Sequence, residues 1–115
     1  MNDIKLMNKA ADNIRILAAS MVEKAKSGHP GGAMGGADFV NVLFSEFLVY
    51  DPKNPAWEGR DRYFQDPGHM SPMLYSVLAL AGKFTIDELK EFRQWGSVTP
   101  GHPEVNVMRG IENTS

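Results

Sequence analysis

Apolar residues recur at three- and four-residue steps over the first 26 positions, and this spacing constrains the fold more than any other sequence feature. Such steps place side chains on one face of an α-helix. We therefore predict a long amphipathic helix from Asp3 to Lys26, with Asp3 as its N-cap and Gly28 closing it in a left-handed conformation. The apolar face consists of Met7, Ala10, Ala11, Ile14, Leu17, Ala18, Met21, Val22 and Ala25.

Three more helices are predicted from shorter patterns. Apolar residues between Val40 and Leu48 repeat the helical spacing after a cluster of glycines at positions 31 to 36. Ser71 and Pro72 are typical of an N-cap followed by the first helical residue, and Gly82 is placed to end that helix. Thr85-Ile86-Asp87-Glu88 matches a capping box and predicts a fourth helix with Leu89 and Phe92 facing inward.

Only one segment, Arg62 to Gln65, has the adjacent aromatic residues and following turn that favour a strand. The sequence therefore predicts a mostly α arrangement of about four helices with at most one or two short strands. A single strand would leave its backbone groups without sheet partners, and the chain from Trp95 onward is predicted to be loop. We expect this chain to be part of a larger domain.

Charge and composition exclude several function classes. The formal net charge is −2, with acidic and basic residues mixed along the chain, so binding to nucleic acid or to an anionic membrane through bulk charge is not expected. The absence of cysteine excludes disulfides, thiolate zinc sites and a cysteine nucleophile. The sequence shows neither a secretory signal pattern nor an apolar stretch long enough to span a bilayer. We expect a soluble, cytoplasmic protein.

Each of the three histidines, His29, His69 and His102, directly follows a glycine. A glycine allows a tight turn and close approach of backbone to a ligand, and imidazoles that converge on a cleft suit acid–base chemistry at hydroxyl and carbonyl oxygens. The simpler alternative is a turn histidine bonded to backbone or water. A metal site built from all three is disfavoured because their spacing matches no local zinc pattern. Spacing alone does not decide between the first two interpretations.

Other motifs have alternative interpretations too. The glycine cluster might cradle phosphate, but it matches no phosphate-binding loop, so helix packing is the favoured role. The Arg60-Asp61-Arg62 cluster suits either an anion site or a surface ion pair. Trp57 and Trp95 are interpreted as core or interface anchors.

As an ordered set, these motifs resemble the transketolase family, in the segment that opens its amino-terminal, diphosphate-binding domain. The resemblance covers almost the whole chain. It rests on Ser27-Gly28-His29-Pro30-Gly31, Met34, Gly35, Ala37, Asp38, Asn54-Pro55, Trp57, Arg60-Asp61-Arg62, Gly68-His69, Leu74-Tyr75-Ser76, Phe92-Arg93-Gln94 and Thr99-Pro100-Gly101-His102-Pro103-Glu104.

The resemblance implies an α/β thiamin-diphosphate-binding fold, of which this chain contributes mostly helices that cover a parallel sheet. It also implies an enzyme that transfers a two-carbon ketol unit from a ketose phosphate to an aldose phosphate. In that scheme His29 and His102 are catalytic and bind substrate, at its hydroxyl and carbonyl oxygens and at the donor's terminal hydroxyl respectively. His69 binds the cofactor near its diphosphate.

The resemblance also implies which part of the domain this chain contributes. We interpret residues 1–115 as the N-terminal part of the domain, ending before the motif that binds Mg²⁺ or Ca²⁺. We therefore expect no metal site here, no cofactor bound by this chain alone and no activity alone. Its partners would be sugar phosphates and either the remainder of transketolase or a C-terminal partner subunit, in a homo-oligomer. The alternatives are a non-catalytic helical interaction protein or a related enzyme such as dihydroxyacetone synthase.

Overall fold

The computed structural model describes residues 2–115, and within this range it is mostly helical. A π-helical turn, Leu43–Phe47, continues the third helix, and 3-10 turns occupy Gly68–Met70 and Val107–Arg109. Within the described residues the β-structure consists of an isolated antiparallel bridge between Asn106 and Ile111. Residues 2–115 contain five α-helices, which are α1 (Ile4–Ala25), α2 (Pro30–Gly35), α3 (Ala37–Val42), α4 (Ser71–Leu80) and α5 (Ile86–Lys90).

The long first helix follows its apolar spacing. Asp3 is the N-cap, and its carboxylate accepts hydrogen bonds from the backbone N–H groups of Lys5 and Leu6. Four residues of the predicted face are fully buried, namely Ala11, Ile14, Ala18 and Met21. The predicted closing residue was wrong, since Lys26 takes the left-handed conformation with φ 53°. Gly28, with φ 126°, instead turns the chain toward α2.

Helix α4 lies at the centre of the core. Every residue from Ser71 to Leu78 is buried, and α4 contacts α1, α2, α3 and α5. The Tyr75 ring lies 5.4 Å from the Phe84 ring and 6.2 Å from the Phe92 ring, measured between centroids. The buried part of this helix must satisfy its polar groups within the protein, and the Ser76 hydroxyl does so by donating to the Pro72 carbonyl.

The glycine cluster is itself helical, because it forms α2 and leads into α3. One detail predicted for α4 was wrong. Ser71 is the first residue of α4 and not its N-cap; Met70 holds that position. The Ser71 hydroxyl is used elsewhere, since it donates to the carbonyl of Gly101 at 2.5 Å.

The predicted strand at Arg62 to Gln65 is also wrong. In the part of the chain that the structure describes, this segment has no neighbouring strand, and its backbone pairs with a side chain instead. The N–H of Gln65 donates to the Asn113 Oδ1 atom at 3.0 Å, and Asn113 Nδ2 donates to the Gln65 carbonyl at 3.1 Å. One amide side chain therefore replaces a local pair of strand hydrogen bonds, which the sequence pattern of residues 62 to 65 cannot reveal.

Other side chains predicted to be anchors or surface groups lie in different environments. Trp57 and Trp95 are both exposed, Trp95 completely, so neither is a core residue, and their role as interface anchors stays a prediction. Arg60 forms neither a surface ion pair nor an open anion site. Its guanidinium pairs with Glu112 at 2.7 Å, and both side chains are nearly buried, at 9% and 8% exposure. No helix within residues 2–115 combines the length and apolar character needed to cross a membrane.

The capping box of α5 is confirmed and carries an ion pair. Thr85 accepts from the Glu88 N–H, and Glu88 accepts from the Thr85 N–H. Arg109 also donates to the Glu88 carboxylate at 2.7 Å. The hydrogen bond from Arg109, followed by that from the Thr85 backbone, lowers the pKa of Glu88 from 4.5 to about 2. Leu89 and Phe92 are buried, as predicted.

Two isoleucines of α1 test its orientation. Ile14 is fully buried and Ile16 is 64% exposed. Ile14→Ala should lower the free energy of unfolding by about 2–5 kcal/mol, because it removes buried methyl groups and leaves a cavity. Ile16→Ala should change it by no more than about 0.5 kcal/mol. Urea unfolding followed by circular dichroism measures both, and equal losses would contradict the orientation of α1.

The Glu88 carboxylate predicts a pH dependence of stability. Since its folded pKa is depressed, the stabilisation is complete above the ordinary value of 4.5 and is lost as the pH falls through about 2. Urea unfolding at about pH 6 and about pH 3 should show a smaller loss of stability in Glu88→Gln than in the unsubstituted chain. Glu91→Gln, an exposed carboxylate at the end of α5, is the control. An unchanged pH slope in Glu88→Gln would show that the ion pair is not formed.

Candidate active site

Two of the three histidines lie at helix starts and contact each other. His29 is the N-cap residue of α2, in an extended conformation with φ −122°, and its side chain is exposed. His69 belongs to the 3-10 turn that leads into α4, and it is half-buried. Because α2 packs against α4, the two rings meet with centroids 4.7 Å apart and planes inclined by 51°.

The third histidine lies against the same turn. A Cβ atom built on Gly68 would be 2.7 Å from His102 Nδ1, so the missing side chain of this buried glycine gives the imidazole its place. The turn at residues 68–70 thus contacts both other histidines. The structure brings together three side chains that are 40 and 33 residues apart in sequence.

The loop that carries His102 is fixed by helices α4 and α5. The Tyr75 hydroxyl donates to the Pro100 carbonyl at 2.6 Å, beside the bond from Ser71 to Gly101. Burial is the main cause that raises the pKa of Tyr75 above its usual range, so this phenol stays a donor at all ordinary pH values. The Thr99 hydroxyl donates to the Glu88 carbonyl at 3.1 Å. These bonds hold the backbone just before His102.

The hydrogen bond of His102 determines which ring nitrogen is free. Nδ1 lies 3.1 Å from the backbone oxygen of Ser115, and an oxygen of this kind only accepts. Nδ1 must therefore carry the proton when the ring is neutral. The lone pair is then on Nε2, which suits an acceptor for a hydroxyl proton. His102 is exposed, so a ligand can reach this nitrogen.

An open groove of about 1130 Å³ adjoins His102 on one side. Polar side chains of its lining include Ser27, Arg93 and Glu104. His29 and His69 are not among the lining residues in the described part of the chain, so the groove adjoins His102 and not the other two imidazoles. We take the cluster of imidazoles, defined by their contacts, as the candidate site.

Some polar groups at the site were missed by sequence reasoning. Three buried polar atoms have no hydrogen-bond partner among residues 2–115: Gln65 Nε2, Arg93 Nε and Ser115 Oγ. Ser115 lies beside the histidine cluster, since a Cβ on Gly68 would be 2.7 Å from its carbonyl carbon. Nothing in the composition or spacing of these residues indicates burial, because it results from contacts between distant segments. The Phe92-Arg93-Gln94 motif was the one signal that pointed to Arg93.

The described residues contain no group of three His, Cys, Asp or Glu side chains placed to hold a metal ion. The expected absence of a metal site in this chain stays a prediction.

Comparison with known proteins agrees with this geometry. The family described as "Transketolase, thiamine diphosphate binding domain" matches residues 6–115. The chain belongs to the transketolase family. It is 51% identical over 111 residues to the transketolase of Buchnera aphidicola, which covers 96% of this chain and 17% of that protein. It is 50% identical over 115 residues to the chloroplastic Transketolase-1 of Arabidopsis thaliana, covering 98% of this chain and 16% of the relative.

Solved transketolases share the fold. The crystal structure of transketolase from Campylobacter jejuni superimposes with a TM-score of 0.92 at 45% identity, over 99% of this chain and 18% of that one. The predicted fold class is thus confirmed. These relatives are all transketolases, which does not favour an interaction protein or a dihydroxyacetone synthase. The chain spans about a sixth of the length of each relative.

Gly35, the last residue of α2, and Gly36, its C-cap, test how this helix is held beside His69. A Cβ on Gly36 would be 2.6 Å from the sulfur of the buried Met73, whereas a Cβ on Gly35 meets nothing within 4 Å. Gly36→Ala should therefore lower the free energy of unfolding by about 1–3 kcal/mol. Gly35→Ala should raise it by up to about 1 kcal/mol, because glycine is a poor helix former. If both variants were stabilised in urea unfolding, the packing of α2 on α4 would be wrong.

Proposed function

We propose that this chain supplies the histidine cluster of a transketolase active site. The complete enzyme would use thiamin diphosphate to transfer a two-carbon ketol unit from a ketose phosphate to an aldose phosphate. The observation that carries the proposal is the meeting of the turns at His29, His69 and His102 in a chain of this family. A solved relative from Pichia stipitis is described as a complex with sedoheptulose 7-phosphate, which supports a sugar phosphate as substrate.

We assign His29 and His102 to substrate binding and proton transfer. His102 would accept or return a hydroxyl proton at Nε2, since its Nδ1 proton is held by the Ser115 oxygen. His29 is exposed at the N-terminus of α2 and would bond to hydroxyl and carbonyl oxygens of the sugar. Both side chains extend from turns fixed to helices, and a fixed backbone keeps a catalytic group near its productive geometry.

We assign His69 to cofactor binding. It is half-buried next to Gly68, and the backbone of Ser115 lies against this turn. The Ser115 hydroxyl has no hydrogen-bond partner among residues 2–115. These groups fit a polar ligand such as a diphosphate. When bound, thiamin diphosphate supplies the carbon nucleophile that cleaves the bond next to the donor carbonyl. The residues of this chain would orient the sugar and move protons.

The described residues do not fit a site for Mg²⁺ or Ca²⁺, because no suitable cluster of His, Cys, Asp or Glu side chains is present among them. A diphosphate held by imidazole and hydroxyl groups alone lacks a cation to balance its charge. We therefore propose that the metal ligands lie outside these 115 residues. The chain alone would then bind the cofactor weakly or not at all and would not catalyse the transfer.

We propose further that residues 1–115 are the N-terminal part of the diphosphate-binding domain, and that the partner is the remainder of transketolase or a C-terminal partner subunit. The exposed aromatic residues support such a partner, because large aromatic side chains gain most when they are buried in a core or an interface. They include Phe39, Phe47, Phe64 and Trp95. We also propose a homo-oligomer located in the cytoplasm, without nucleic-acid or membrane partners, although one relative is named as chloroplastic.

Reconstitution tests the proposed function. The chain is mixed with an Escherichia coli transketolase that lacks the 106 residues aligned with it. Ketol transfer from a ketose phosphate to an aldose phosphate is assayed with thiamin diphosphate and Mg²⁺. We expect activity only when both pieces are present. His29→Ala or His102→Ala should lower the rate by about 100- to 10,000-fold, the usual contribution of an acid–base group.

Lys90→Gln, an exposed change on α5, is the matched control and should leave the reconstituted rate unchanged. Transfer by the chain alone would contradict the proposed division of labour. A reconstituted rate that is insensitive to both histidine substitutions would contradict the assigned roles.

A further inference from the structure

Arg93 lies between the turn that carries His29 and the turn that carries His102. Its Nη1 donates to the Ser27 hydroxyl at 2.8 Å, two residues before His29. Its backbone N–H donates to the Thr99 carbonyl at 3.1 Å, three residues before His102. One residue thus bonds to both segments, which are otherwise far apart in sequence.

The Arg93 side chain also packs beside the two glycines that precede these histidines. A Cβ on Gly101 would lie 2.9 Å from Arg93 Nε, and the three nearest atoms to it all belong to Arg93. The absence of a side chain at Gly101, directly before His102, therefore makes room for the arginine. At Gly28, directly before His29, a Cβ would lie 3.6 Å from the same nitrogen, which is van der Waals contact.

Arg93 is itself held in place by its surroundings. Its φ of 64° is left-handed, a conformation that residues other than glycine adopt only where the surrounding structure imposes it. The guanidinium carbon lies 5.7 Å from the centroid of the Phe92 ring, and Phe92 is only 1% exposed. A fixed backbone and a buried neighbour give the guanidinium a rigid base.

We infer that Arg93 is a positioning residue that fixes the spacing between the His29 turn and the His102 turn. It acts through hydrogen bonds and packing and does not touch the reacting atoms. Its value for catalysis rests on the proposed function, but its effect on the imidazoles is a property of this chain alone. The two can therefore fail separately.

Histidine NMR of the 115-residue chain, labelled with ¹³C and ¹⁵N in its imidazoles, tests the inference without an activity assay. Arg93→Gly keeps the left-handed backbone accessible and removes only the side chain. It should shift the ring signals of His29 and His102 from their positions in the unsubstituted chain. Arg93→Lys, which retains a cationic donor, should give smaller shifts, and Arg62→Gly, an exposed arginine, is the control and should give none.

Ser27→Ala removes a single acceptor and keeps the inference testable should Arg93→Gly fail to fold. It should shift the His29 signals more than those of His102. Urea unfolding of each variant separates positioning from simple stability, because a merely structural arginine would lower stability and leave the ring signals of the folded chain in place. Unmoved signals in both Arg93→Gly and Ser27→Ala would overturn the inference.

A double substitution provides an independent measure. Gly101→Ala places a methyl group against Arg93 Nε and should displace the His102 signals in the unsubstituted background. In the Arg93→Gly background the methyl group has space, so the same change should add little further shift. Equal displacement in both backgrounds would show that the guanidinium does not define this turn. If the unsubstituted chain failed to reconstitute ketol transfer while all these shifts appeared as expected, the proposed function would be contradicted and the positioning role would not.

Discussion

The burial of α4 from Ser71 to Leu78 holds the candidate site together. Each of these residues is at most 4% exposed, so the helix cannot shift without opening the core. The His69 turn leads directly into this helix, α2 packs on its side, and two of its hydroxyl groups bind the carbonyls before His102. All three histidine turns therefore take their positions from one buried element.

Two hydroxyl groups of this helix bond to the loop that carries His102. Ser71 and Tyr75 point their hydroxyls at the carbonyls of residues 100 and 101, and both donors are buried. A buried donor without a partner is costly, so each bond also fixes the loop that satisfies it. In the same way, the side chain of Asn113 bonds to the backbone N–H and carbonyl of Gln65. Loops without regular structure thus become rigid through bonds from side chains.

Helix faces could be predicted from sequence because a periodic pattern records burial residue by residue. The N-cap at Asp3, the capping box at Thr85 and the buried face of α1 follow from local rules of this kind. Residues 62 to 65 resembled a strand because extended backbone and aromatic residues occur there, but their partner is the side chain of Asn113, 48 residues away. The exposure of Trp95 could not be predicted for a similar reason, since hydrophobicity does not state which surface covers a residue.

The site could be predicted only in part. Glycine before each histidine indicated tight turns, and the ordered motifs indicated the family, which the comparisons confirm. The contact between His29 and His69, the proton position on His102 and the place of Arg93 depend on how α2, α4 and the loop after α5 pack. No local pattern encodes these distances, because each joins segments separated by more than ten residues.

If the three imidazoles share one place on the folded chain, nuclear Overhauser spectroscopy of the 115-residue chain should detect their proximity. We expect cross-peaks between the ring protons of His29 and His69, and between the His102 ring and the α-protons of Gly68. A folded chain that lacks both sets of cross-peaks would contradict this proximity.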